Sequence, residues 1–145
     1  MEKIKIKRLR ADAMLPQYAT EHSAGADLYA CLDQPVEIKP HTTVMIPLGF
    51  AMAIPDGWVG LTFARSGIAT KQDLAPANKV GVIDSDYRGE WWIPLHNHGE
   101  KTHTVVPGTR IAQLVIVPYM TAIFTETENL EETERGGGGF GSTGA

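Results

Sequence analysis

Two carboxylates, Asp84 and Asp86, stand two positions apart in residues 81–89, which read G-V-I-D-S-D-Y-R-G. On one strand they would share a face and repel; at the tip of a tight hairpin they point apart. The segment reads either as a polar hairpin turn or as a site. In the second reading one carboxylate is a general base and Tyr87 a platform for a sugar or a nucleobase. A second chemistry-bearing segment is residues 135–145, R-G-G-G-G-F-G-S-T-G-A, in which six of the ten residues 135–144 are glycine. Ordering so much glycine costs too much backbone entropy for it to serve a core. Its side chains are one cation (Arg135), one ring (Phe140) and two adjacent hydroxyls (Ser142, Thr143). They suit a ligand that is flat at one end and phosphorylated at the other. Backbone N–H groups and hydroxyls converge on an anion, a guanidinium forks onto phosphate oxygens, and a ring stacks on a base. Standing alone, the same segment also reads as a glycine-rich linker.

Other corners carry weaker signals. Ala64-Arg65-Ser66-Gly67 ends an apolar run with a cation, a hydroxyl and a glycine. Such a corner either caps a short helix through Ser66 or binds an anion. Pro107-Gly108-Thr109-Arg110 feeds Ile111-Ala112-Gln113, so Arg110 and Gln113 are either surface polar groups or further phosphate donors. His96, His98 and His103 lie close in sequence, but no carboxylate or cysteine stands at ligand spacing beside them, which argues against a metal site. Ser66 lacks the G-x-S-x-G context of a hydrolase nucleophile.

The elements that position these residues are short. Apolar or alternating runs occupy residues 4–9, 26–31, 36–38, 42–46, 50–54, 58–64, 91–96 and 111–117, and residues 119–125 extend the series. Asp56-Gly57 between two of the runs is a hairpin signal. Pro94 inside a run predicts an edge strand or a bulge. Only residues 66–72 are patterned for a helical turn or two. Many short strands at close spacing predict an all-β sandwich, jelly roll or barrel.

The 145 residues suffice for one core and not for two. The formal net charge is −4, and residues 126–135, with five glutamates and one arginine, account for all of it. The rest of the chain is neutral, which argues against nucleic acid as a partner. The lysines and arginines of residues 3–10 alternate with Ile4 and Ile6, as on an edge strand protected from sheet-to-sheet aggregation. Cys31 is the only cysteine, so no intrachain disulfide or thiolate metal site is expected. No membrane-length apolar run and no signal-peptide pattern occur; the expectation is a cytoplasmic protein without a membrane partner.

Taken in order, these segments resemble the five motifs of the trimeric deoxyuridine triphosphatase (dUTPase) family. Ala24-Gly25-Ala26-Asp27-Leu28 is similar to the first, Arg65-Ser66-Gly67 to the second and residues 81–89 to the third. Residues 108–114 (G-T-R-I-A-Q-L) are similar to the fourth and residues 135–144 to the fifth. The resemblance runs from about residue 4 to the C-terminus, and the third and fifth motifs are the specific ones. Ala64, where a proline is common, and Trp91-Trp92 with Pro94 depart from the family pattern. The related dCTP deaminase class, on the same fold, would need a glutamate base and a different serine-arginine signature. A non-catalytic nucleotide sensor on this fold is disfavoured by the retention of Asp84, Tyr87 and the tail.

The resemblance implies an all-β, jelly-roll-like distorted β-barrel with a flexible C-terminal arm. It implies a homotrimer whose active sites are shared between subunits. Residues 1–125 would form the barrel, 126–134 an acidic tether and 135–145 a glycine-rich lid that reaches a neighbouring subunit. The implied reaction is dUTP and water to dUMP and pyrophosphate, with Asp84 as the base for in-line attack at the α-phosphorus. Mg²⁺ is implied as cofactor, held mainly by the substrate phosphates and contacted through water by Asp27. Asn78, Gly81, Val82, Tyr87 and Phe140 would surround uracil and deoxyribose. Arg65, Ser66, Gly67, Gln113, Arg135, Gly139, Ser142 and Thr143 would hold phosphates, while Arg110 organises the site or a subunit interface.

Overall fold

The structure, a computed structural model, describes residues 3–139. Its spine is a nine-residue strand, Arg110–Pro118, rich in β-branched residues and ended by proline. Numbered in chain order, the strands are β1 Lys5–Arg8, β2 Gln17–Tyr18, β3 Ala26–Tyr29, β4 Val36–Ile38, β5 Thr43–Pro47 and β6 Phe50–Ala53. There follow β7 Trp58–Phe63, the helix α1 Ser66–Gln72, β8 Leu74–Pro76, β9 Gly81–Ile83, β10 Trp92–Asn97, β11 His103–Val105 and the spine, β12. All strand pairs are antiparallel. β12 lies between β3 and β7 in a five-stranded sheet ordered β2-β3-β12-β7-β9, and the others form sheets β5-β10-β8, β1-β6 and β11-β4. The all-β expectation holds, although the strands form four separate sheets and no closed barrel.

The core follows from alternation. Along β10 every second side chain, Ile93, Leu95 and Asn97, is buried. They meet Leu28, Ile38, Ile46, Leu48, Phe50, Leu74 and Ile111, each at most 1% exposed. Asn97 is tolerated at 0% exposure because its amide donates to Ile38 O and Lys101 O while its oxygen accepts from Gly99 N. Trp91 packs on Phe50 with ring centroids 5.7 Å apart, and its Nε1 is buried without a hydrogen-bond partner. Trp92, the next residue, faces outward.

Three local expectations are corrected. Asp56-Gly57 does make the turn, with Gly57 at φ 81°, but the flanking strands do not pair as a hairpin. β6 pairs with β1, and β7 with β12 and β9, because partner choice is set by the core and not by the turn. Pro94 lies in the central strand of its sheet, opposite Met45. It is accommodated at the end of the ladder, since β8 stops at Pro76 and Ala77 N still donates to Pro94 O at 2.7 Å. Residues 119–125 form no strand; Met120, Ile123 and Phe124 stand 85%, 93% and 96% exposed, with no strand among the described residues to cover them.

Candidate active site

The first cluster is built where β3, β12 and β7 run side by side. Asp27 of β3 lies opposite Gln113 of β12, and Gln113 lies opposite Phe63 of β7, two residues before Arg65. Asp27 is 7% exposed and holds two cations. Arg65 Nε donates to its Oδ1 at 2.7 Å, and Arg110 Nη1 to its Oδ2 at 3.1 Å. A buried carboxylate committed to two guanidinium groups fixes both and keeps its own charge compensated. Gln113 Nε2 donates to Ala64 O at 2.8 Å, tying the approach to α1 onto β12. The Gln113 side chain lies directly over Gly25, where any Cβ would collide with it. Arg65 is the extended residue preceding α1 and makes no side-chain cap; Ser66 is the first helical residue, not the cap. Asp27, Arg65, Ser66 and Gln113, with Ser23 and Gly25, line a cleft of about 390 Å³.

The second cluster is carried by β9 and the turn after it. Gly81 pairs with Thr62 of β7, and the Thr62 hydroxyl fills the space a side chain at Gly81 would need. The Asn78 amide would lie 3.3 Å from that Cβ. The expected hairpin is instead a strand bounded by two turns, since β9 pairs with β7 alone. In the second turn Tyr87 N donates to Asp84 O at 3.2 Å, and Arg88 Nη1 to Ser85 O at 2.6 Å. Tyr87 folds back so that its hydroxyl donates to Glu90 O at 2.8 Å. Val82 is 62% exposed. Val82, Asp84, Tyr87 and Glu90, joined by Met45 and Trp92, line a cavity of about 320 Å³. Asp84 lines it and Asp86 does not.

The two clusters share no lining residue. Within one chain, Asp84 and Tyr87 line one cavity and Arg65 lines the other. Arg135 and Gly139, exposed in the tail, line neither. Gly67 is exposed at the start of α1, and Phe140, Ser142 and Thr143 lie outside the described residues. Met45, Trp92 and Glu90 come to the Asp84 cavity from segments outside the third motif, and no local signal marks them.

The sequence model of the dUTPase family matches residues 11–144. The chain belongs to the dUTPase family. A deoxyuridine 5'-triphosphate nucleotidohydrolase of Syntrophotalea carbinolica is 50% identical over 97% of this chain and 96% of its own. One from Acinetobacter baylyi is 48% identical over 98% and 95%. Among solved structures, the dUTPase of Staphylococcus bacteriophage 80alpha with dUpNHpp superposes with a TM-score of 0.87, 30% identical and covering 100% of both chains. A point mutant of the dUTPase from phage phi11 of S. aureus, which reveals the coordination of a structural Mg(II) ion, has a TM-score of 0.82. It is 25% identical and covers 90% of this chain and 100% of its own.

Proposed function

We propose that this dUTPase-family chain hydrolyses dUTP to dUMP and pyrophosphate in the cytoplasm, at sites assembled between the subunits of a homotrimer. The observation that carries the shared-site reading is the division of labour within one chain: the Asp84 cavity has no cation cluster and the Asp27 cleft has no free carboxylate. A triphosphate ester needs both, and a second copy supplies the missing half. The apolar residues left in solvent between positions 119 and 125 support the same reading, since a neighbouring subunit would bury them.

In the assembled site Asp84 orients and deprotonates a water for in-line attack at the α-phosphorus. Arg65, Ser66, Gly67 and Gln113 of a second subunit hold phosphate oxygens, and the third subunit's residues 135–145 close as a lid. Arg135, Gly139, Ser142 and Thr143 of that lid add phosphate contacts, and Phe140 covers the uracil. Mg²⁺, when bound, would be held mainly by the substrate phosphates and would neutralise their charge. Among the described residues no three His, Cys, Asp or Glu side chains stand together as a ready-made cage for it. Each Asp27 oxygen already accepts from one guanidinium and keeps a further lone pair that could accept from a metal-bound water.

Uracil offers an N3–H donor between two carbonyl acceptors. Backbone groups of β9 and its turns, with Asn78, Gly81 and Val82, meet that pattern, which cytosine reverses at N3 and C4. Close contact at C5 excludes thymine, and the Tyr87 ring against the deoxyribose excludes a 2′-hydroxyl. Pyrophosphate release measured with Mg²⁺ and dUTP, dCTP, dTTP or UTP tests the reading. Turnover of dUTP alone supports it; comparable rates on any other of the four would overturn it.

A further inference from the structure

Gly89 has no conformational reason to be glycine. Its backbone stays out of the left-handed region that Gly49, Gly57, Gly108 and Gly136 occupy. What excludes a side chain there is one neighbour, Tyr87. A Cβ on Gly89 would lie 2.5 Å from the Tyr87 hydroxyl, 2.7 Å from Cζ and 3.0 Å from Cε2, and these three are its nearest atoms. The far end of the ring therefore rests on the bare main chain of Gly89.

That seat is rigid. The Tyr87 hydroxyl donates to Glu90 O at 2.8 Å. The following residue is fixed on both sides, Trp91 N donating to Phe50 O at 3.0 Å and Leu48 N to Trp91 O at 2.9 Å. The Glu90 carboxylate accepts from Gly49 N at 3.2 Å, fastening the same turn to the link between β5 and β6. The ring cannot follow a displaced seat by moving the strand beneath it, so any added side chain must lift the ring and break its hydroxyl bond.

We propose that Gly89 is a specificity-determining positioning residue: its missing side chain sets where the Tyr87 ring stands and so how closely the ring walls the sugar. This rests on the reading of Tyr87 as the wall against ribose, and the experiment separates the two.

The ratio of kcat/KM for dUTP over UTP, with Tm, is measured for Gly89→Ala, Tyr87→Ala and the double variant. Gly89→Ala is expected to lower the ratio by about tenfold or more, since displacing a positioning group by about 1 Å costs rate on that scale. In the double variant the ring is gone and the added methyl meets none of the three atoms that would crowd it, so both ratio and Tm should equal those of Tyr87→Ala. If Gly89→Ala alone is too unstable to assay, recovery of Tm in the double variant supports the seat, and equal instability overturns it. An unchanged ratio in Gly89→Ala beside a lowered one in Tyr87→Ala overturns the proposal alone. An unchanged ratio in Tyr87→Ala overturns the sugar-wall reading and the proposal with it.

Discussion

Asp84 and Asp27 are the same residue type in opposite circumstances. Asp27 is buried and bound to two arginines, whereas Asp84 is exposed and its side chain accepts no hydrogen bond from another described residue. In the proposed reaction the carboxylate without a cation partner, Asp84, is the one suited to take a proton from water, while Asp27 stays engaged by its two arginines. Asp84→Asn should lower kcat by about 10²–10⁴-fold with dUTP still bound, whereas Asp86→Asn should be mild. Steady-state kinetics with a binding measurement checks this, and the reverse ranking would sink the assignment. Cys31 makes a separate prediction. Burial pushes its thiol above the ordinary range, with Asp12 and Glu90 adding to the shift and Arg10 opposing it. A thiol that ionises later in the folded than in the unfolded chain contributes stability that is complete below the unfolded pKa. That contribution fades as pH rises through the folded value. Wild-type stability should therefore fall more steeply above the ordinary thiol range than that of Cys31→Ala, as chemical denaturation at stepped alkaline pH would read. Parallel curves would mean the thiol is not the titrating group.

At the scale of elements, the contact between β7 and β9 aligns the Asp84 turn. It depends on Gly81, whose Cα faces the Thr62 hydroxyl. Gly81→Ala should destabilise by about 1–3 kcal/mol through overpacking and raise the KM for dUTP. Urea unfolding and kinetics would measure both, and an unperturbed variant would mean that β9 is free to shift. The runs that became β1, β3, β4, β5, β6, β7, β10 and β12 were legible because each alternates or is apolar across a core face. Strands β2, β8 and β11 were not: Gln17-Tyr18 and His103-Thr104-Val105 carry too few apolar residues to mark a face, and Leu74-Ala75-Pro76 ends in a proline. Pro94 misled because its cost depends on where the neighbouring strand stops, a tertiary fact. Residues 119–125 misled for a related reason: apolar character announces burial without saying which chain provides the cover. Of the site, motif resemblance marked Asp27, Arg65, Gln113, Asp84 and Tyr87. The bond between Arg110 and Asp27, 83 positions apart, and the separation of Arg65 from Asp84 had to come from the fold.

For the molecule as a whole, residues 126–139 contribute no strand or helix and residues 126–134 are exposed throughout. A chain ending at Glu134 should therefore keep its assembly state and nearly all its thermal stability while losing turnover. An arginine donated by a neighbouring chain contributes about 10³–10⁵-fold in phosphoryl transfer, and loss of Arg135 together with Phe140 should be of that order. Mixing the truncated chain with full-length Asp84→Asn should restore activity, because an intact tail can close over an intact Asp84 from another chain. No recovery despite proven subunit exchange would mean that each tail serves its own subunit. The composition of the tether carries a consequence of its own. Its five glutamates stand in solvent and, in the proposed function, lead a lid toward a polyanionic nucleotide. Charges this exposed feel one another only within a screening length of about 8 Å at physiological ionic strength, and over longer distances in dilute buffer. Added salt should therefore ease lid closure while weakening the hold of the arginines on dUTP. In a salt titration kcat and KM should rise together, so that the enzyme exchanges affinity for speed as its medium grows more saline.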